Sequence, residues 1–214
     1  MKTKICAVAL AIAAAAPAIA DDFTYVSGGL LYQFHSKEHA WNRTIDKNGK
    51  VETKNNDFGF YLNGSSGIND YLFVEGRLHD TKLDRQVLLG VGGHYPVAQC
   101  ANLYALAGIA KKNITILFDE NSQAAGEHRG NIQPTIELGA KLRANDAIGA
   151  RVSYRYAQFG DKNLASNQRH LHEGHLGGYY QVAESCAVEA GYNFTRFMKD
   201  VNDHKITTGI RYSF

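Results

Sequence analysis

From Ile132 to Arg143 the chain alternates strictly. Ile132, Pro134, Ile136, Leu138, Ala140 and Leu142 are apolar, and Gln133, Thr135, Glu137, Gly139, Lys141 and Arg143 are polar or small. Period two over twelve residues describes a strand with one dry face and one wet face. A helix would spread Glu137 and Lys141 around its circumference among the apolar residues. Pro134 removes one ladder donor, so it belongs near a strand end or a bulge.

The same rhythm recurs along the chain. Ile148, Ala150, Val152, Tyr154 and Tyr156 oppose Arg151, Ser153 and Arg155. Val188, Ala190, Tyr192 and Phe194 oppose Glu189, Gly191, Asn193 and Thr195. Ile206, Thr208, Ile210, Tyr212 and Phe214 oppose Thr207, Gly209, Arg211 and Ser213. Leu72, Val74 and Leu78 oppose Glu75, Arg77 and His79. Weaker versions run through 26–34, 58–62, 87–95, 103–109 and 176–182, with 103–109 apolar on both faces. About ten strands follow, each of about twelve residues; eight is the runner-up count. A tilted strand of that length rises roughly 28 Å, enough for a membrane-spanning apolar band.

The connections alternate in length. Short ones fall at 67–70, 96–102, 144–146 and 183–185. Long polar ones fall at 36–56, 111–130 and 160–169, with shorter members near 80–84 and 199–203. This predicts an all-β, antiparallel, up-and-down transmembrane β-barrel, with turns and both termini periplasmic and loops outside. A soluble sandwich or lipocalin-type barrel would show the same alternation turned inside out. The charges decide between them. One face collects Glu75, Arg77, Glu137, Lys141, Arg143, Arg151, Arg155, Glu173, Glu189 and Arg211. The other collects aliphatics, with aromatics such as Phe34, Phe58, Tyr95, Tyr156 and Phe194 near strand ends. Aromatic ends suit two membrane interfaces.

The N-terminus agrees with export. Lys2 and Lys4 precede an alanine-rich apolar stretch, Pro17 breaks it, and Ala18-Ile19-Ala20 is a small-x-small cleavage pattern. The expected division is a signal peptide over 1–20, cleaved after Ala20, and an outer-membrane barrel over 21–214. Without Lys2 and Lys4 the remaining 21 basic residues match 21 acidic ones, which argues against a nucleic-acid partner. Cys100 and Cys186 survive processing, and an even count in an oxidising compartment predicts a disulfide. The topology resists it, since both fall in turns three or more strands apart and the bond needs close Cα atoms.

The chain ends Thr207-Thr208-Gly209-Ile210-Arg211-Tyr212-Ser213-Phe214. A polar residue, a glycine and aromatics at the third-last and last positions resemble the β-signal of outer-membrane proteins. The resemblance implies that the membrane assembly machinery recognises Thr207, Gly209, Tyr212 and Phe214, by pairing with a strand that has a free edge until closure. At whole-chain level the sequence is similar to the broad class of small outer-membrane β-barrel proteins.

In so narrow a barrel the ten lumen charges are expected to pair and fill the interior; if the lumen conducts, the basic excess favours anions. His170 and His172 should share one strand face, with Glu173 and His175 on the other, so the three imidazoles should not converge on a metal. His35 and Ser36 are adjacent, and on a strand they would face opposite ways, which denies them a nucleophile-base geometry. No catalytic, cofactor-binding or metal-ligating residues are expected, although some barrels of this class are proteases or lipid A hydrolases. The first loop carries Lys37, Arg43, Lys47, Lys50 and Lys54 among acidic residues, placed to meet lipopolysaccharide phosphates or, as loops on a rigid scaffold, a host or cell-surface ligand.

Overall fold

The computed structural model describes residues 23–35, 43–45, 51–53, 56–82, 84–116, 126–129, 131–158, 170–197 and 201–214. Ten long strands form a closed antiparallel barrel: β1 (Tyr25–His35), β4 (Asn56–Gly67), β5 (Leu72–Thr81), β6 (Asp84–Ala98), β7 (Ala101–Ile116), β9 (Gln133–Arg143), β10 (Ile148–Gln158), β11 (His170–Ala183), β12 (Cys186–Phe197) and β13 (Val201–Ser213). Each pairs with the next in sequence, and β13 closes on β1 from Tyr25↔Ser213 to His35↔Asp203. Two short strands, β2 (Arg43–Ile45) and β3 (Val51–Thr53), pair within the first loop, and β8 (Gly126–Arg129) extends the outer end of β7. Ten strands, not eight, is the count. The expected signal peptide lies outside the described residues.

The alternation resolves as a membrane barrel requires. On β9, Ile136 and Leu138 are 55% and 58% exposed on the outer wall, while Glu137 between them is 1% exposed in the lumen. A soluble barrel would reverse this. Pro134 is the second residue of β9, where a missing donor costs least. The doubly apolar stretch becomes β7, and its two faces have separate causes. Leu103 and Ile109 face outward, while Tyr104, Leu106 and Ala110 pack inward against Phe23, Phe73 and Leu88.

The turns repeat one device. Asn69 Oδ1 accepts from the N–H groups of Tyr71 and Leu72, both at 2.9 Å. Asn145 Oδ1 accepts in the same way from Ala147 (2.9 Å) and Ile148 (2.8 Å). An asparagine side chain therefore caps two of the short turns from within.

Lumen glycines make room for lumen aromatics. Gly92 lies directly across from Phe73, Gly139 from Tyr104, and Gly149 from Tyr179. A Cβ at any of the three would run into the ring opposite. In each pair the ring takes the space that the missing side chain leaves.

Candidate functional site

The lumen carries the chain's charge chemistry, in three levels from the periplasmic end outward. Phe23, just before β1, turns into the periplasmic mouth and is fully buried. It stacks on His94 at 4.0 Å between centroids, and the Lys141 ammonium sits 3.4 Å from the Phe23 ring centre. Beside it the Arg211 guanidinium lies 3.9 Å from the Tyr25 ring centre and 4.6 Å from that of Tyr179. These are cation–π contacts in a desolvated place, where they count most.

The middle level is a four-charge knot. Arg77 on β5 grips Glu137 on β9 with two hydrogen bonds, at 2.6 and 2.9 Å, and donates to Glu75 at 2.6 Å. Arg151 on β10 donates to Glu137 at 2.8 Å and to Glu75 at 3.0 Å. Tyr104 donates to Glu137 at 2.7 Å and accepts from Arg151 Nε at 2.7 Å; Tyr25 accepts from Arg151 at 3.2 Å. Strands β6, β7 and β9 separate β5 from β10 around the wall. The Arg151–Glu75 pair therefore crosses the interior and does not run along the wall. Burying both carboxylates is tolerable only because each meets both guanidiniums in hydrogen-bonding geometry.

Toward the outside, Asp84 on β6 accepts from Lys112 at 2.8 Å and from Lys205 at 2.6 Å. Lys205 lies 3.8 Å from Asp203, which accepts from Gln33 at 3.0 Å. Lys205 is on β13, across the barrel from β6, so this level is bridged too. Arg155 and Glu173 pair at 2.7 Å on adjacent strands.

Of the predicted lumen residues, Glu75, Arg77, Glu137, Lys141, Arg151, Arg155, Glu173 and Arg211 face the interior. Glu189 also does, accepting from Tyr61 at 2.8 Å. Arg143 stands exposed at the periplasmic end of β9. The sequence reading missed Asp84, Lys112 and Asp203, which lie where strands run on into segments it assigned to loops, and Lys205, which lies between the 199–203 connection and the strand it began at Ile206. Carrying the two-residue phase of Thr207 and Arg211 back along β13 reaches Lys205 and Asp203. Carrying the phase of β6 back from Leu88 reaches Gln86 and Asp84. Phe23 had no such signal, since it precedes the first strand.

The disulfide is corrected: both thiols are free. Cys100 is exposed in the turn between β6 and β7. Cys186 pairs with Tyr212 and so shares its outward face. Three strands stand between them, and at about 4.8 Å per strand the wall keeps them well beyond disulfide reach.

Of the residues expected to form the assembly signal, Thr207 and Gly209 face the lumen, and Tyr212 and Phe214 face outward at the closing seam. Glu173 and His175 point inward, while His170 and His172 point outward. The side chains of His35 and Ser36, and Lys37, Lys47, Lys50 and Lys54, lie outside the described residues. Of Arg43 only the backbone, in β2, is described.

Opposite the knot, the wall of β1, β11, β12 and β13 carries small lumen residues: Ser27, Gly177, Gly191 and Thr207. A cavity of about 80 Å³ remains beside them.

Residues 5–172 match the family described as outer membrane protein beta-barrel domain. The chain belongs to that family. Family and fold together place it in the outer membrane, and the outward Ile, Leu, Val, Tyr and Phe side chains are its lipid-facing wall. Comparison with curated proteins returns no match. Among solved structures, an outer membrane channel from Pseudomonas putida F1 superposes with a TM-score of 0.52 at 7% identity, covering 92% of this chain and 99% of that one. Ail, the attachment invasion locus protein of Yersinia pestis, gives 0.35 at 13%, covering 89% and 99%. The outer membrane protease OmpT from Escherichia coli gives 0.45 at 12%, covering 89% and 95%. At these identities the likeness is one of fold alone.

Proposed function

We propose that this barrel serves the cell surface, as a structural and surface-interaction protein acting through its extracellular loops in an adhesin-like role, and not as an open pore. The observation that supports this is the Arg151–Glu75 bridge, reinforced by Arg77 and Glu137, which spans the interior at mid-height. Phe23 below it and the Asp84–Lys205 bridge above it obstruct the same path. With the lumen filled, the long connections at one end are what the scaffold can offer a partner. In this reading Lys37, Arg43, Lys47, Lys50 and Lys54 pair with lipopolysaccharide phosphates or present charge to a host or cell-surface ligand, and Thr207, Gly209, Tyr212 and Phe214 are read by the assembly machinery.

One observation favours a second reading, a narrow channel: the cavity beside Ser27, Gly177, Gly191 and Thr207. Lys141 and Arg211 near its periplasmic end would give such a path a mild preference for anions. A hydrolase reading gains nothing from four of the described histidines, since His170, His172 and His204 bond tyrosines and His175 bonds Asn193.

Planar-bilayer recording of the purified barrel tests the choice. The surface role expects a silent bilayer, together with binding to lipopolysaccharide or host matrix that is lost when 37–55 is deleted. Discrete, anion-selective steps from the unmodified protein would overturn it in favour of the channel.

A further inference from the structure

On the outer wall near the extracellular rim, three tyrosine–histidine pairs repeat one geometry. The Tyr154 hydroxyl meets His172 Nδ1 at 2.5 Å, Tyr156 meets His170 Nδ1 at 2.6 Å, and Tyr192 meets His204 Nδ1 at 2.6 Å. In each pair the tyrosine lies one rung deeper in the membrane and reaches diagonally toward the rim. Tyr154 lies across from Gly174, Tyr156 from His172, and Tyr192 from Ile206, and each bonded imidazole sits two residues further out. The phenol occupies Nδ1, which leaves Nε2 as the ring position turned to the surroundings.

An ordinary aromatic girdle does not need imidazoles. Tyr and Trp meet the interface with one polar tip each. Here the rim row reads Tyr156, His172, Arg196, Asn202 across β10 to β13, all on the outer face. Arg196 is exposed. One rung deeper the row reads Tyr154, Gly174, Phe194, His204, Phe34. A side chain added at Gly174 would meet nothing within 4 Å, so the row has a notch there, between Tyr154 and Phe194 and directly below His172. The patch is thus a notch in the apolar wall topped by imidazole nitrogens and a guanidinium, at the extracellular edge of that wall.

We infer that this patch is a docking site for a phosphorylated lipid headgroup of the outer leaflet, the lipid A phosphate of lipopolysaccharide. The phosphate accepts hydrogen bonds from the outward imidazole nitrogens and from Arg196, and the chain below it lies in the notch at Gly174. Charge complementarity selects this occupant. A phosphate offers acceptor oxygens to a guanidinium and to imidazole nitrogens together, which a second apolar protein wall does not. The inference rests on the outer-membrane placement and not on the proposed loop role.

Native mass spectrometry of the refolded full-length barrel with bisphosphorylated and phosphate-free lipid A tests it. The wild type should retain the phosphorylated form about tenfold better, the effect of one charge-assisted hydrogen bond. A His170→Phe, His172→Phe, His204→Phe triple variant keeps the girdle but removes the donors, and should lose that preference. Arg196→Gln and His172→Phe alone should each reduce it, which keeps the test open should the triple variant not fold. Equal retention of the two lipids by the wild type, or an undiminished preference in the folded variants, would overturn the site. The second outcome would move phosphate binding to the loop lysines, leaving the proposed surface role standing.

Discussion

Replacing Glu137 with alanine should cost more than any surface change of similar size. Its two oxygens accept four hydrogen bonds: two from Arg77, one from Arg151 and one from Tyr104. Without it, two guanidiniums share Glu75 as their carboxylate partner in the knot, inside a lumen where Glu137 is 1% exposed. Breaking a buried pair by removing one partner costs about 3–5 kcal/mol, most of it the uncompensated charge left behind. Glu189 is the internal control. It accepts one bond, from Tyr61, and is half-buried, so Glu189→Ala should cost about 1 kcal/mol. Urea unfolding of the refolded barrels in detergent, followed by β-sheet circular dichroism and by the gel shift between folded and boiled forms, gives both numbers. An Arg77→Ala, Glu137→Ala double variant should cost clearly less than the sum of the two single changes, because the pair fails as a unit. A Glu137→Ala protein within about 1 kcal/mol of the wild type, or simple additivity in that cycle, would refute the claim that the knot is a desolvated unit.

Lys205→Met should destabilise through Asp84, by about 3 kcal/mol, since one of its two ammonium partners is gone; the same urea titration measures it. Gly139→Ala should cost about 1–3 kcal/mol, because the added methyl collides with the Tyr104 ring and pushes the phenol off Glu137. The maleimide-labelled mass of the folded barrel, produced from Asp21 onward, should rise by two adducts without prior reduction, one each for Cys100 and Cys186; an unlabelled protein would restore the disulfide. Deleting Phe214 should lower the amount of barrel in outer-membrane fractions several-fold with little change in refolding in detergent, as judged by immunoblot.

Much of this was legible in the sequence, for a physical reason. A membrane barrel prints its wall as period two, and Ile136, Glu137 and Leu138 could be assigned to faces by residue type alone. The same phase put Glu75, Arg77, Arg151 and Arg155 on one side before any partner was known. What the sequence could not supply was distance across the lumen. Arg151 and Glu75 are far apart in the chain and meet only because closure brings β10 opposite β5. Strand ends were lost for another reason: Asp84 and Lys205 are charged, so at the edge of a polar loop they read as solvated. The apolar inward face of β7 was obscure because it packs on Phe23, a residue outside the alternation. The disulfide failed because cysteine count carries no geometry, and the wall between β7 and β12 decides it.

The direct test of which face meets lipid is a nitroxide scan along β9, from Gln133 to Arg143, in lipid vesicles. Labels at Ile136, Leu138, Ala140 and Leu142 should be readily reached by oxygen dissolved in the bilayer. Labels at Thr135, Glu137, Gly139 and Lys141 should be shielded, giving a period of two in phase with the apolar residues. Oxygen access in the opposite phase, or with no period at all, would contradict the account.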